Sequence, residues 1–164
     1  MNPRRLHGFS MLEVMVAILI MAFGLLGLAG LQVNNLKNNQ NSSLRSVATA
    51  QAYDIADKMR ANRAGLDAGN YNQQQGQAKP NCFTSVGCTA QEMAQNDIFT
   101  WNELNALALP SGQGFVCVDS TPNDGTPAAP ACDGVPNSPY AIKVWWDERD
   151  PSGQLTRFVT TFRP

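Results

Sequence analysis

From Phe9 to Leu31 the chain is an almost unbroken apolar run holding a single carboxylate, Glu13, and a short basic leader, residues 1–8, precedes it. Val14 to Leu31 are eighteen consecutive residues without a charge. At about 1.5 Å per residue they form a helix of roughly 27 Å, close to the thickness of a hydrocarbon core, so the segment can cross a membrane. Arg4 and Arg5 lie before the run and the first cation after it is Lys37. That asymmetry keeps the N-terminus in the cytoplasm and sends the remainder of the chain across.

Three readings fit such a segment. A secretory signal peptide would be cut near Gly27-Leu28-Ala29. Glu13 argues against it, because a carboxylate opposes insertion by up to about 2.5–3.5 kcal/mol at mid-membrane and somewhat less near the end. A plain uncleaved anchor explains length and flanking charge but leaves Glu13 without a purpose. An ionisable residue inside a membrane is a functional candidate by default.

The third reading is a resemblance. Gly8-Phe9-Ser10-Met11-Leu12-Glu13-Val14 resembles the processing site of the type IV pilin family, in which a basic leader ends in Gly and the mature chain starts with Phe and has Glu as its fifth residue. The resemblance implies that a prepilin peptidase cuts between Gly8 and Phe9 and N-methylates Phe9. It also gives Glu13 an assembly role. A carboxylate that is costly alone in lipid regains a counter-charge when it meets the Phe9 amine of an adjacent subunit; otherwise it is a surface carboxylate that snorkels to the headgroups. Gly24, Gly27 and Gly30 weaken the helix by up to about 1 kcal/mol each. They form either a close-packing stripe or, as the family implies, a stretch that unwinds on assembly.

Helical periodicity continues past the membrane through Leu44, Val47, Ala48, Ala52, Ile55 and Met59, with charged residues between them. This stripe is expected to pack on the chain's own C-terminal part. The polar stretch Asn34 to Asn41 has little helix propensity and is a place for a bend. A helix from Phe9 to about Arg63 would be roughly 80 Å long, which suits a filament subunit. Ala64 to Pro80 has no amphipathic period and is expected to be a solvated loop.

Cys82, Cys88, Cys117 and Cys132 all fall on the exported side, where disulfides form; four cysteines allow three pairings. Pairing of neighbours, Cys82 with Cys88 and Cys117 with Cys132, closes the shortest loops. No CxxC occurs and the lone histidine, His7, is in the leader, so no metal and no cofactor are expected. Asp119, Asp124 and Asp133 lack the ordered spacing of a calcium loop.

Thr89-Ala-Gln-Glu92 has the form of a capping box, and Met93, Ala94, Ile98, Trp101 and Leu104 follow at helical spacing before Pro110. Strand candidates are Gly114 to Asp119, Tyr140 to Trp146 and Leu155 to Phe162, the last two joined as an antiparallel hairpin through Asp147 to Gly153. Alternation places Ile142, Val144 and Trp146 on one face and Lys143 with Trp145 on the other. Ser120 to Pro139 is expected to be a long surface loop. Asp97, Trp101, Leu104, Leu109-Pro110-Ser-Gly112-Gln-Gly114, the tandem Trp145-Trp146 and Arg157 to Pro164 resemble the PilV-type minor pilins, the type IV pilus modification proteins.

The expected fold class is therefore α+β and pilin-like. Leader residues 1–8 precede a transmembrane helix over 9–33, an amphipathic continuation over 34–63, and an exported domain over 64–164 with an antiparallel sheet of three or four strands and one further short helix. Catalysis has little support, since no GxSxG, P-loop or HExxH string occurs. Specific nucleic-acid binding is not expected either: the net charge is −1, and loss of Arg4 and Arg5 removes two more positive charges. The resemblance implies a minor pilin, held in the inner membrane with its C-terminal domain in the periplasm and then in a pilus at the cell surface. Its partners would be other minor pilins, the major pilin and the prepilin peptidase. The alternatives are a pseudopilin of a type II secretion system and a membrane-anchored or secreted binding domain.

Overall fold

A computed structural model describes residues 10–149 and 153–163 and divides the chain into two compact units, residues 1–41 and 42–164. From Met11 onward the first unit is helical. Helix α1, Met11–Ala61, begins in it and supplies the first twenty residues of the second. Ser10 caps α1, its hydroxyl accepting the Glu13 amide at 3.2 Å. The helix passes unbroken through Gly24, Gly27 and Gly30 and through the Asn-rich stretch where a bend was expected. Leu, Met and Ala around the glycines favour the helix, and within the Asn-rich stretch Leu36, Lys37 and Gln40 do the same.

The second unit holds the core. Three strands, β1 Gln113–Val118, β2 Tyr140–Trp146 and β3 Thr156–Phe162, form an antiparallel sheet in the order β1-β2-β3. Ala48, Ala52, Ile55, Ala56 and Met59 of α1 are buried in one cluster with Ile142, Val144 and Trp146 of β2, so the amphipathic stripe packs on the sheet as its periodicity predicts. At the end of α1 the Arg60 guanidinium lies over the Phe162 ring, 4.7 Å from its centre.

Helix α3, Ala90–Ala108, follows a complete capping box in which the Thr89 hydroxyl accepts the Glu92 amide and the Glu92 carboxylate accepts the Thr89 amide. Trp101 is fully buried, and its indole N–H donates to the Gln51 carbonyl of α1 at 2.7 Å. The same ring explains a glycine. A Cβ at Gly114 would collide with the six-membered ring of Trp101, so β1 can approach α3 only with a bare Cα there. Gly112 is held likewise against the Asn105 carbonyl.

The segment expected to be a solvated loop, Ala64 to Pro80, is more ordered than its composition suggests. A short helix α2, Arg63–Asp67, opens it, and a single 3-10 turn, Pro80–Phe83, follows its end. Between them Tyr71 is fully buried. The Gln73 amide donates to the Val116 carbonyl and the Asn72 side chain accepts the Val118 amide, so this polar tract lines the outer edge of β1. Its amides satisfy backbone that an edge strand would otherwise leave open.

Candidate functional site

The residues that bear on function fall in two places, each within one unit. In the first, α1 is, among the described residues, the one helix long and apolar enough to cross a membrane, and none of that apolar window is buried. Met11, Leu12, Phe23 and Leu26 are each at least 70% exposed. A surface of this kind is stable only in lipid or against other helices. Glu13 lies in the first turn of α1, where a negative charge is favoured by the helix dipole, and it too is exposed. Gly8 and Phe9 lie outside the described residues. A Cβ at Gly24, Gly27 or Gly30 would meet nothing within 4 Å, so the chain itself does not use these positions for packing.

Sequence reasoning missed the cap on this helix. Ser10-Met-Leu-Glu13 has the same Ser/Thr-x-x-Glu form as the box at Thr89, and the spacing would have revealed it.

The second place is the outer face of the sheet, opposite α1. β2 is buried along its whole length, because the loop from Asp119 to Pro139 covers the face carrying Lys143 and Trp145. Several bonds hold the cover down. Cys117 of β1 is joined to Cys132 of the loop. Lys143, opposite Phe115 in β1 and Val159 in β3, sends its ammonium to Asp119 Oδ2 at 2.7 Å, Asp124 Oδ1 at 3.0 Å and the Pro130 carbonyl at 2.7 Å. Arg157, opposite Trp145, donates to the Gly125 carbonyl at 2.8 Å and to that of Asn123. At the loop's base Asp133 accepts the Ser120 hydroxyl and the amides of Ser120 and Val135.

These contacts set the electrostatics. The Lys143 hydrogen bond, with help from the Thr121 hydroxyl, holds Asp124 below the usual carboxylate range. The Ser120 hydroxyl and the two amides do the same for Asp133. Cys117, Asp119 and Cys132 bring three potential metal-binding atoms within 4.8 Å of one another. The two sulfurs are bonded to each other and Asp119 is paired with Lys143, so the trio presents no thiolate set to a metal. A second disulfide, Cys82 to Cys88, closes a small exposed ring beside the start of α3.

Two family models match adjoining segments of the chain. The prokaryotic N-terminal methylation motif matches residues 3–29. The model described as type IV pilin Tt1218 matches residues 30–99, from within α1 into α3. No curated protein and no solved structure matches the chain.

Proposed function

The chain is a type IV pilin, a subunit of the kind that prepilin peptidase processes and that assembles with other pilins, and from that premise we propose that it serves as a minor pilin. The observation that carries the reading is the methylation motif lying directly on a helix whose apolar surface is left uncovered by the chain itself. In this reading the peptidase cuts between Gly8 and Phe9 and methylates the new amine. The helix then holds the subunit in the inner membrane, with the disulfide-bonded unit in the periplasm, until assembly gives its apolar face to neighbouring helices. Glu13 in the first turn pairs with the Phe9 amine of an adjacent subunit and sets the axial offset. The minor rather than major role rests on the likeness of the C-terminal half to PilV-type subunits. Other minor pilins and the major pilin are its partners, and its destination is the pilus at the cell surface. The pilin family is structural, and the role proposed here involves no reaction catalysed by the chain.

Intact-mass measurement and N-terminal sequencing of the chain from piliated cells test processing. A mature chain starting with methylated Phe9 is expected; one starting at Met1 or near Gly30 overturns it. Quantifying the subunit against the major pilin in sheared filaments tests the minor role, for which a small fraction is expected.

A further inference from the structure

The sheet has two edges, and the chain treats them differently. Along β1 the outward backbone groups are met by the chain itself: the Gly114 amide donates to Asn102 Oδ1 at 2.9 Å, the Val116 carbonyl accepts the Gln73 amide, and the Val118 amide donates to Asn72. Those contacts fix the phase of the whole sheet. Gly114, Val116 and Val118 turn their N–H and C=O groups away from β2, so their partners Val144, Ile142 and Tyr140 turn theirs toward β3. Phe158, Thr160 and Phe162 complete those pairs, which leaves Arg157, Val159 and Thr161 with amides and carbonyls pointing out of the sheet. Among the described residues no hydrogen bond reaches these outward groups.

Sheets commonly guard such an edge with proline, lysine, a bulge or a very short strand. β3 has none of these. It pairs residue for residue with β2 over all seven positions, and Val, Thr and Phe, which favour extended chain, fill all but one of them. Its one charge, on Arg157, is turned onto the loop carbonyls of Gly125 and Asn123 and does not guard the edge.

Outward groups at alternate residues recur at roughly 6.8 Å, a repeat that another extended backbone matches donor to acceptor. A second copy of this chain is badly placed to offer one. Its β1 edge is closed by residues 72 and 73. Its β3 edge would meet the first across a two-fold axis, with the strands antiparallel. The second half of α1 lies along the strands, with Arg45 against Glu148 at one end and Arg60 over Phe162 at the other, so that axis would set the two helices running in opposite directions. Subunits threaded through one membrane from the same side run together.

We propose that the outer edge of β3 accepts an extended strand from a different pilin subunit. With one edge open and the other closed, the sheet is extended once and the contact does not propagate, which suits a subunit present in few copies. The identity of the donor rests on the pilin reading above; the open edge does not.

The test follows amide hydrogen exchange by NMR in the full chain, isotopically labelled in detergent micelles, alone and with each purified pilin of the same cells in turn. Alone, the amides of Arg157, Val159 and Thr161 should exchange fast and those of Phe158 and Thr160 slowly. One of the pilins should slow the three outward amides by about tenfold or more and leave the inward ones unchanged, an alternation that general burial does not produce. Thr161→Pro removes an outward donor without touching the bonds to β2, and it should abolish the slowing. Outward amides already slow in the isolated chain, slowing by no pilin, slowing without alternation, or an undiminished response in Thr161→Pro overturns the proposal. Slowing produced by raising the concentration of the chain alone overturns it too, in favour of a second copy. Should Thr161→Pro fail to fold, the alternation in the wild type decides alone. The two readings fail separately. A chain whose β3 edge is paired by another pilin but which is never cleaved after Gly8 overturns the pilin reading alone. A chain that is cleaved and incorporated while these amides stay fast with every pilin overturns the strand contact alone.

Discussion

The Lys143 ammonium lies 2.7 Å from the Asp119 carboxylate, and neither side chain is exposed to solvent. The pair joins the central strand to the start of a long loop. Its position in the middle of the sheet means that it cannot be lost without opening the loop cover.

Lys143→Met should therefore be strongly destabilising, by about 3–5 kcal/mol, since it leaves the Asp119 charge buried and unpaired. Combining it with Asp119→Leu should recover much of the loss, because replacing both partners by apolar groups removes the unmet charge. Denaturant unfolding of the detergent-solubilised chain measures both; equal stability of Lys143→Met and the wild type would show that the pair carries no structural weight.

Two carboxylates should give opposite pH signatures. Asp133 is held below its ordinary value, about 3.9 in an unfolded chain, so the stability it confers is complete above that value and is lost as pH falls through the lower folded one. Asp97 is raised by burial, so its contribution favours the fold below the unfolded value and is lost as pH rises through the folded one. Unfolding midpoints from acid to neutral pH should show a shallower acid-side loss in Asp133→Asn, whereas Asp97→Asn should be relatively most favourable at neutral pH.

Gly114→Ala should cost about 1–3 kcal/mol, the range for overpacking a core, because the new methyl group meets the Trp101 ring and, at 2.7 Å, the Asn105 amide nitrogen. Indole fluorescence should report the displaced ring alongside the lower unfolding midpoint. An unperturbed spectrum at unchanged stability would refute the close approach.

Removing the bridge from Cys117 to Cys132, which spans 15 residues, should cost about 3 kcal/mol in the chain-entropy model. The bridge from Cys82 to Cys88 spans 6 and should cost less. Paired Cys→Ala variants of each, compared by thermal unfolding, give the order.

Glu13→Ala should leave cleavage after Gly8 intact while reducing recovery of the subunit in sheared filaments. Incorporation at the wild-type level would exclude charge pairing with the Phe9 amine. Ser10→Ala separates the cap from the charge, since it should loosen the first turn of α1 by about 1 kcal/mol and leave the carboxylate in place.

Features governed by neighbours in sequence were legible before any coordinates. The capping box at Thr89 and Glu92 was among them, as were the stripe from Leu44 to Met59, the three strands to within a residue or two and the inward face of β2. What was hidden depends on partners far along the chain. Lys143 alternates onto the face opposite the core, and only the loop carrying Asp119, Asp124 and Pro130 makes that face an interior. Tyr71 sits in a run of Asn and Gln that promises a solvated connector, yet Asp97, twenty-six residues on, draws it inside. No local period encodes either contact. The use of Asp119, Asp124 and Asp133 as loop fasteners is likewise not written in their spacing.

Lys143 also settles how the loop responds to its surroundings. Two carboxylate oxygens and the carbonyls of Asp124 and Pro130 converge on its ammonium much as oxygen ligands gather around a metal ion. The chain thus supplies its own tethered counter-ion, delivered by the backbone of β2 and incapable of diffusing away. A subunit built this way brings the charge that fastens its outer face along with the strand beneath it, so the loop acquires its anchor wherever the sheet has formed.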